Sequence, residues 1–111
     1  MAKKSRLSQH DIALSAFHLL QQQENIVGRV GVKTSQFSFW IGVSKPTMSK
    51  ALNWLIENNY LIRLVTSNQN GTSTYSYTTN NSRMFEQGFY TSCHNSYIVV
   101  RNRRLENTWQ L

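Results

Sequence analysis

The stretch Ile41-Gly42-Val43-Ser44-Lys45-Pro46-Thr47-Met48-Ser49 decides how this chain folds. A glycine between two apolar residues marks a sharp turn, because glycine enters left-handed backbone without a steric penalty. Ser44 follows as a candidate N-cap, its hydroxyl placed to accept from a backbone N–H of the turn ahead. Pro46 falls inside that first turn, where its missing N–H removes no helical bond. Beyond it, Met48, Ala51, Leu52, Leu55 and Ile56 recur at spacings of three and four, one apolar stripe of a helix. Lys45, Thr47, Ser49, Lys50 and Asn53 fall off that stripe. The expectation is a helix ending at Ile41, a turn at Gly42, and a capped helix over residues 44–58 with a polar, basic outer side.

Working upstream, Thr34 or Ser35 can cap the helix that ends at Ile41, with Phe37 and Ile41 facing the core. Before it, Ile26-Val27-Gly28-Arg29-Val30-Gly31-Val32 is β-branched and broken by glycines, which predicts a short edge strand. An earlier helix spans residues 8–24, with Ser8 as N-cap, Asp11 in the first turn, and Ile12, Ala13, Ala16, Phe17 and Leu20 as its buried stripe. Working downstream, Asn58-Asn59 ends the third helix, asparagine being the non-glycine residue best suited to a left-handed cap. The period then changes to two. Residues 60–66 predict a strand, Asn70-Gly71 a hairpin turn, and Ser73–Thr79 a return strand. Past residue 79 the pattern loosens: a loop at 80–82, a short helix or turn over 84–90, and a strand over Tyr97-Ile98-Val99-Val100, before a basic cluster, Arg101, Arg103 and Arg104, that either reaches a polyanion or sits on a segment serving dimerisation.

Helix, short strand, helix, glycine turn, capped helix and Asn-Gly hairpin, in this order, resemble the winged helix-turn-helix of bacterial regulators such as the MarR and GntR families. The resemblance covers residues 9–79, and small plasmid-type winged-helix DNA-binding proteins are similar as well. It implies a mainly α fold with a small β-hairpin wing, an α+β chain organised as a basic arm at 1–7, a winged helix-turn-helix domain at 8–79 and a C-terminal extension at 80–111 for dimerisation or packing. It further implies that the helix at 44–58 lies in a DNA major groove and that the hairpin at 60–79 is the wing. Carried onto this chain, Ser44 and Lys45 favour phosphates, and Thr47, Ser49, Lys50 and Asn53 lie nearer to base edges. The chain departs from the pattern at Asn59, where a glycine is usual, and at the wing tip Ser67-Asn68-Gln69-Asn70-Gly71-Thr72, which carries no Lys or Arg. Arg63, lower on the first wing strand, is then the wing's candidate phosphate contact.

Composition agrees with that partner. Across 111 residues, twelve Lys and Arg stand against five Asp and Glu, a formal charge of +7, which attracts a polyanion through counterion release. Lys3, Lys4 and Arg6 form a basic arm that either follows a phosphate backbone or only solubilises the chain. The expected partners are double-stranded DNA and a second copy of the chain, a homodimer on a palindromic or repeated site, with no membrane and no small-molecule ligand. No apolar run reaches the roughly 18 residues of a membrane span, the basic start predicts no export, and one lone cysteine fits a reducing interior, so the expected location is cytoplasmic, beside the nucleoid.

Two features stand apart. Phe39 and Trp40 occupy positions where helices of this kind expose polar residues, so they need either a cover from the C-terminal extension or a partner surface. Cys93-His94 is the one adjacent nucleophile–base pair, and no acidic orienter lies near it; His10, His18, His94 and Cys93 show no metal-ligand spacing. The expectation is a non-enzyme with no cofactor and no metal. Three functions are carried forward: a small sequence-specific transcriptional regulator, a plasmid partition or replication-control protein coating repeated sites, and a protein-interaction module using Phe39 and Trp40.

Overall fold

The computed structural model describes residues 7–29, 31–80, 82 and 85–109, with backbone alone for 104–109. Among them the order is α1 (Gln9–Val27), α2 (Thr34–Ile41), α3 (Lys45–Glu57), β1 (Leu61–Ser67), β2 (Ser73–Thr79) and α4 (Gln87–Trp109), an α+β arrangement with one antiparallel hairpin.

The local signals at the helix ends act as their chemistry requires. Ser8 Oγ accepts from the Asp11 N–H at 3.0 Å, and Ser44 Oγ accepts from the Thr47 N–H at 3.4 Å. Gly42 adopts φ 81°, ψ 38°, and its N–H donates to the Ser38 carbonyl, closing α2 in the left-handed cap that only glycine enters freely. Asn59 takes the same region at φ 63° and turns the chain from α3 into β1. The second helix differs from expectation in its start: Lys33 is the N-cap and makes no side-chain cap bond, so neither Thr34 nor Ser35 closes it.

The hairpin pairs Leu61 with Thr79 through Ser67 with Ser73, leaving residues 68–72 as the tip. Its base is held by the Asn80 N–H donating to the Tyr60 carbonyl and by Asn80 Nδ2 donating to the Asn59 carbonyl. The predicted edge strand over 26–32 is not formed. Ile26 and Val27 complete α1, which runs past Glu24 to the Gly28 cap, and Val32 alone bridges Tyr77, with N–H to carbonyl bonds of 3.0 and 2.9 Å. Helix continuation and a two-glycine spacer outweigh β-branched propensity here. Side chains reinforce the junction: both Glu24 oxygens accept from the Thr78 and Thr79 hydroxyls, and Arg29 Nε donates to Thr78 Oγ1.

The C-terminal third departs most. The predicted strand at 97–100 lies within α4, and the described part of the predicted turn at 84–90 leads into the same helix. Cys93, Ser96 and Val100 are buried at spacings of three and four, so packing of this stripe on α1 overrides the β preference of Ile98, Val99 and Val100. Phe89 meets Phe17 while Ser96 Oγ donates to Asp11 Oδ1, so α4 runs antiparallel to α1. The core holds Ile12, Ala16, Phe17 and Leu20 of α1, Phe37 and Ile41 of α2, Met48, Leu52 and Leu55 of α3, and Cys93 and Val100 of α4. With α4 on α1, Phe39 stays 73% exposed, so the described part of the C-terminal extension does not bury it. Trp40 is half-buried, edge-on to Phe37 at 5.7 Å.

Candidate nucleic-acid interface

The residues singled out on α3 fall into three groups. Ser44 and Thr47 are tied to each other, the Ser44 hydroxyl donating to Thr47 Oγ1 at 2.9 Å while it caps the helix. Lys45, Lys50 and Asn53 are exposed, and Thr47 and Ser49 are half-buried. Met48, Ala51, Leu52 and Leu55 are buried behind them, which fixes the outward phase of the polar side. From Ser44 to Ile56 no acidic residue interrupts the helix; Glu57 is the first.

The hairpin joins this side through Arg63. Its Nη2 donates to Asn53 Oδ1 at 2.5 Å, and its guanidinium carbon stands 5.3 Å from the Tyr75 ring centroid and 5.9 Å from that of Tyr77. Arg63 pairs with Tyr77 across the strands, and Val65 with Tyr75, so all four share one face of the hairpin. Two aromatic faces and an amide therefore hold one guanidinium against α3. At the tip the polar groups satisfy one another. Asn68 Nδ2 donates to the Thr72 and Thr74 hydroxyls, and the Thr72 N–H donates to Asn70 Oδ1.

Two clefts flank α3. One of about 520 Å³ is lined by Gln9, His10, Lys50, Asn53, Trp54 and Glu57, where the first turn of α1 faces the middle of α3. The other, about 490 Å³, lies at the start of α3 and is lined by Leu7, Gln9, Ile12, Gly42, Val43, Ser44, Thr47 and Arg103. Gln9 and His10 were not among the residues the sequence singled out at this surface, whereas Arg103 belongs to the Arg101, Arg103, Arg104 cluster named there as able to reach DNA. The signal for Arg103 was present, since it continues the Cys93, Ser96, Val100 spacing once residues 93–103 are recognised as helical. Lys3, Lys4 and Arg6 lie outside the described residues.

Elsewhere the chemistry is subdued. Cys93 is buried, and burial pushes its thiol up to about 12, the opposite of an activated nucleophile. His18 stacks on Tyr97 at 4.7 Å, and burial followed by the facing His94 imidazole lowers its pKa. Among the described residues no three His, Cys, Asp or Glu gather as a metal would require, and no helix is long and apolar enough to cross a membrane. No protein-family model, no curated protein and no solved structure gives a significant match to the chain.

Proposed function

We propose that this chain is a winged helix-turn-helix protein that binds double-stranded DNA sequence-specifically, with α3 in the major groove and the β1–β2 hairpin as its wing. The observation that carries the reading is the Arg63–Asn53 contact, which joins the hairpin to α3 in one polar, basic surface with Lys45 and Lys50 exposed on the same helix. Such a surface is suited to two tasks at once: cations neutralise phosphates, while Asn53 and Lys50 reach base edges. An amide is the side chain that reads adenine bidentately, and holding Asn53 by Arg63 orients it before binding. Ser44 and Lys45, at the start of α3, contact the backbone. The wing acts through Arg63 on phosphate, because its tip offers self-satisfied amides and hydroxyls in place of a cation.

On this reading the chain is a small transcriptional regulator, a homodimer that sets two copies of α3 in successive major grooves about one helical turn apart. Binding, rather than catalysis, is its task. A second reading has one observation behind it: Phe39 is 73% exposed on α2, the kind of aromatic that anchors a protein partner.

The test is selection of bound duplexes from a random pool, followed by anisotropy titration of the enriched site against salt. Lys50→Ala and Asn53→Ala should relax sequence preference, whereas Lys45→Ala should weaken all duplexes alike and flatten the salt slope. Absence of any salt-dependent duplex binding by the intact chain would refute the reading and leave the Phe39 surface as the place to look.

A further inference from the structure

The direction of α4 brings a second arginine toward the candidate DNA surface. Helix α4 lies antiparallel on α1 and is pinned there by Ser96 donating to Asp11 at 2.9 Å. Asp11 is only two residues into α1, so the continuation of α4 past Ser96 soon overshoots the start of that helix. Arg103 is a further seven residues on, about 10 Å along the axis. There it is half-buried and lines a cleft that it shares with the start of α1 and with Gly42, Val43, Ser44 and Thr47, the inter-helix turn and the first turn of α3. It also follows the buried Val100 by three, so its side chain leaves α4 on the packed side and not toward open solvent.

We propose that Arg103 is a phosphate contact of the DNA interface, so that α4 is part of the DNA-binding surface as well as a support for α1; this rests on the DNA-binding reading above. The cations then follow α3 from end to end. Arg103 shares a cleft with Ser44 and Thr47, Lys45 and Lys50 project from the helix itself, and Arg63 meets Asn53. Six residues of helix separate Thr47 from Asn53, about 9 Å, so the two flanking arginines reach different phosphates. A helix inserted in a major groove has a sugar–phosphate strand on each side, and the uncharged hairpin tip leaves that role to residues elsewhere in the chain. An arginine set on a rigid helix beside the turn meets this need with little ordering on binding.

The inference predicts one phosphate contact for Arg103. Removing one such contact lowers the slope of log K against log salt by about 0.9, so between roughly 50 and 200 mM salt the affinity gap between Arg103→Gln and the unmodified chain should narrow about 3.5-fold. Sequence preference should not change. Arg103→Lys should restore the slope, and Arg101→Gln, an exposed arginine two residues away that does not line the cleft, should leave it as it was. A second measurement needs no variant: phenylglyoxal modification of the unmodified chain, read by peptide mass, should be suppressed at Arg103 more than at Arg101 when duplex is bound. If the chain binds duplex with an unchanged slope in Arg103→Gln, or if Arg103 is modified equally with and without duplex, the inference fails and the DNA-binding reading stands. If the unmodified chain shows no salt-dependent binding, that reading has failed and takes this inference with it.

Discussion

Replacing Phe17 with alanine should remove about 4 kcal/mol of stability, whereas replacing Phe39 should change it by no more than about 0.5 kcal/mol in either direction. Phe17 is 1% exposed, and its ring centroid lies 4.9 Å from that of Phe89, 5.2 Å from Phe85 and 6.3 Å from Tyr60, all close to perpendicular at 70°, 73° and 70°. Truncating a buried phenylalanine generally costs about 3–5 kcal/mol, and edge-to-face pairs add to what area alone would give. The walls of this site come from α4, from the segment before it and from the start of the hairpin, so they cannot collapse together into the space left behind. That places the cost in the upper half of the range. Phe39, 73% exposed, has little burial to lose. The assay is urea unfolding followed by far-ultraviolet circular dichroism and tryptophan fluorescence, with the midpoints converted through a common slope. For a chain of this size the Phe17→Ala loss corresponds to a fall in Tm of roughly 15 °C or more. If Phe17→Ala costs under about 1 kcal/mol, α4 is not docked on α1 as described. If Phe39→Ala costs as much as Phe17→Ala, the C-terminal segment covers α2 after all.

Cys93, pushed from an ordinary 9.0 up to about 12, should have about a thousandfold less thiolate than a free thiol at neutral pH, so disulfide reagents should label it only as fast as the chain unfolds; rapid labelling in native buffer would contradict its burial. His18 carries a lowered pKa, chiefly from burial and then from His94, so its neutral form is the one the fold favours. The stability it contributes is complete above its ordinary 6.5 and is lost as pH falls through the lower folded value. Urea midpoints should therefore drop on acidification below 6.5, and less so in His18→Gln; an equal drop in both would rule out this source. Gly31→Ala would set a Cβ 2.8 Å from the Ser76 Cβ and closer still to its hydroxyl, a clash expected to cost about 1–3 kcal/mol. Adding Ser76→Gly should recover part of that loss, and strictly additive single-variant costs would exclude the clash.

How much of this was legible in the sequence depended on where structure is set by local chemistry. Gly42, Ser44, Pro46 and Asn59 impose backbone geometry on their own neighbours, and α3, the turn before it and the turn into the hairpin lie where those residues put them. The end of α1 and the whole of α4 are decided otherwise. Ile26, Val27, Ile98, Val99 and Val100 are residues that favour strands in isolation, and only α1's continuation to the Gly28 cap and α4's packing on α1 make them helical. That packing depends on contacts as distant as Asp11 with Ser96, which no window of neighbouring residues contains. The candidate site divides the same way. Lys45, Lys50 and Asn53 were legible from helical phase alone, while the Arg63–Asn53 bond and the approach of Arg103 required the register of one hairpin and the direction of one helix.

The mechanical consequence is concentrated at Tyr60. Its ring stacks on Phe89 of α4 at 4.1 Å and 7°, and on Trp54 of α3 at 6.0 Å and 29°, while its carbonyl accepts from Asn80 at the base of the hairpin. The end of α3, the root of the hairpin and the start of α4 are thereby fastened to one side chain. Arg63 is three residues beyond Tyr60, so the guanidinium that meets Asn53 inherits its position from this stack. Stacked rings at such separations resist relative displacement, and the left-handed Asn59 just before Tyr60 leaves the turn few alternative paths. A displacement of α4 therefore cannot stay local: it moves Phe89, then Tyr60, then the relation of the hairpin to α3.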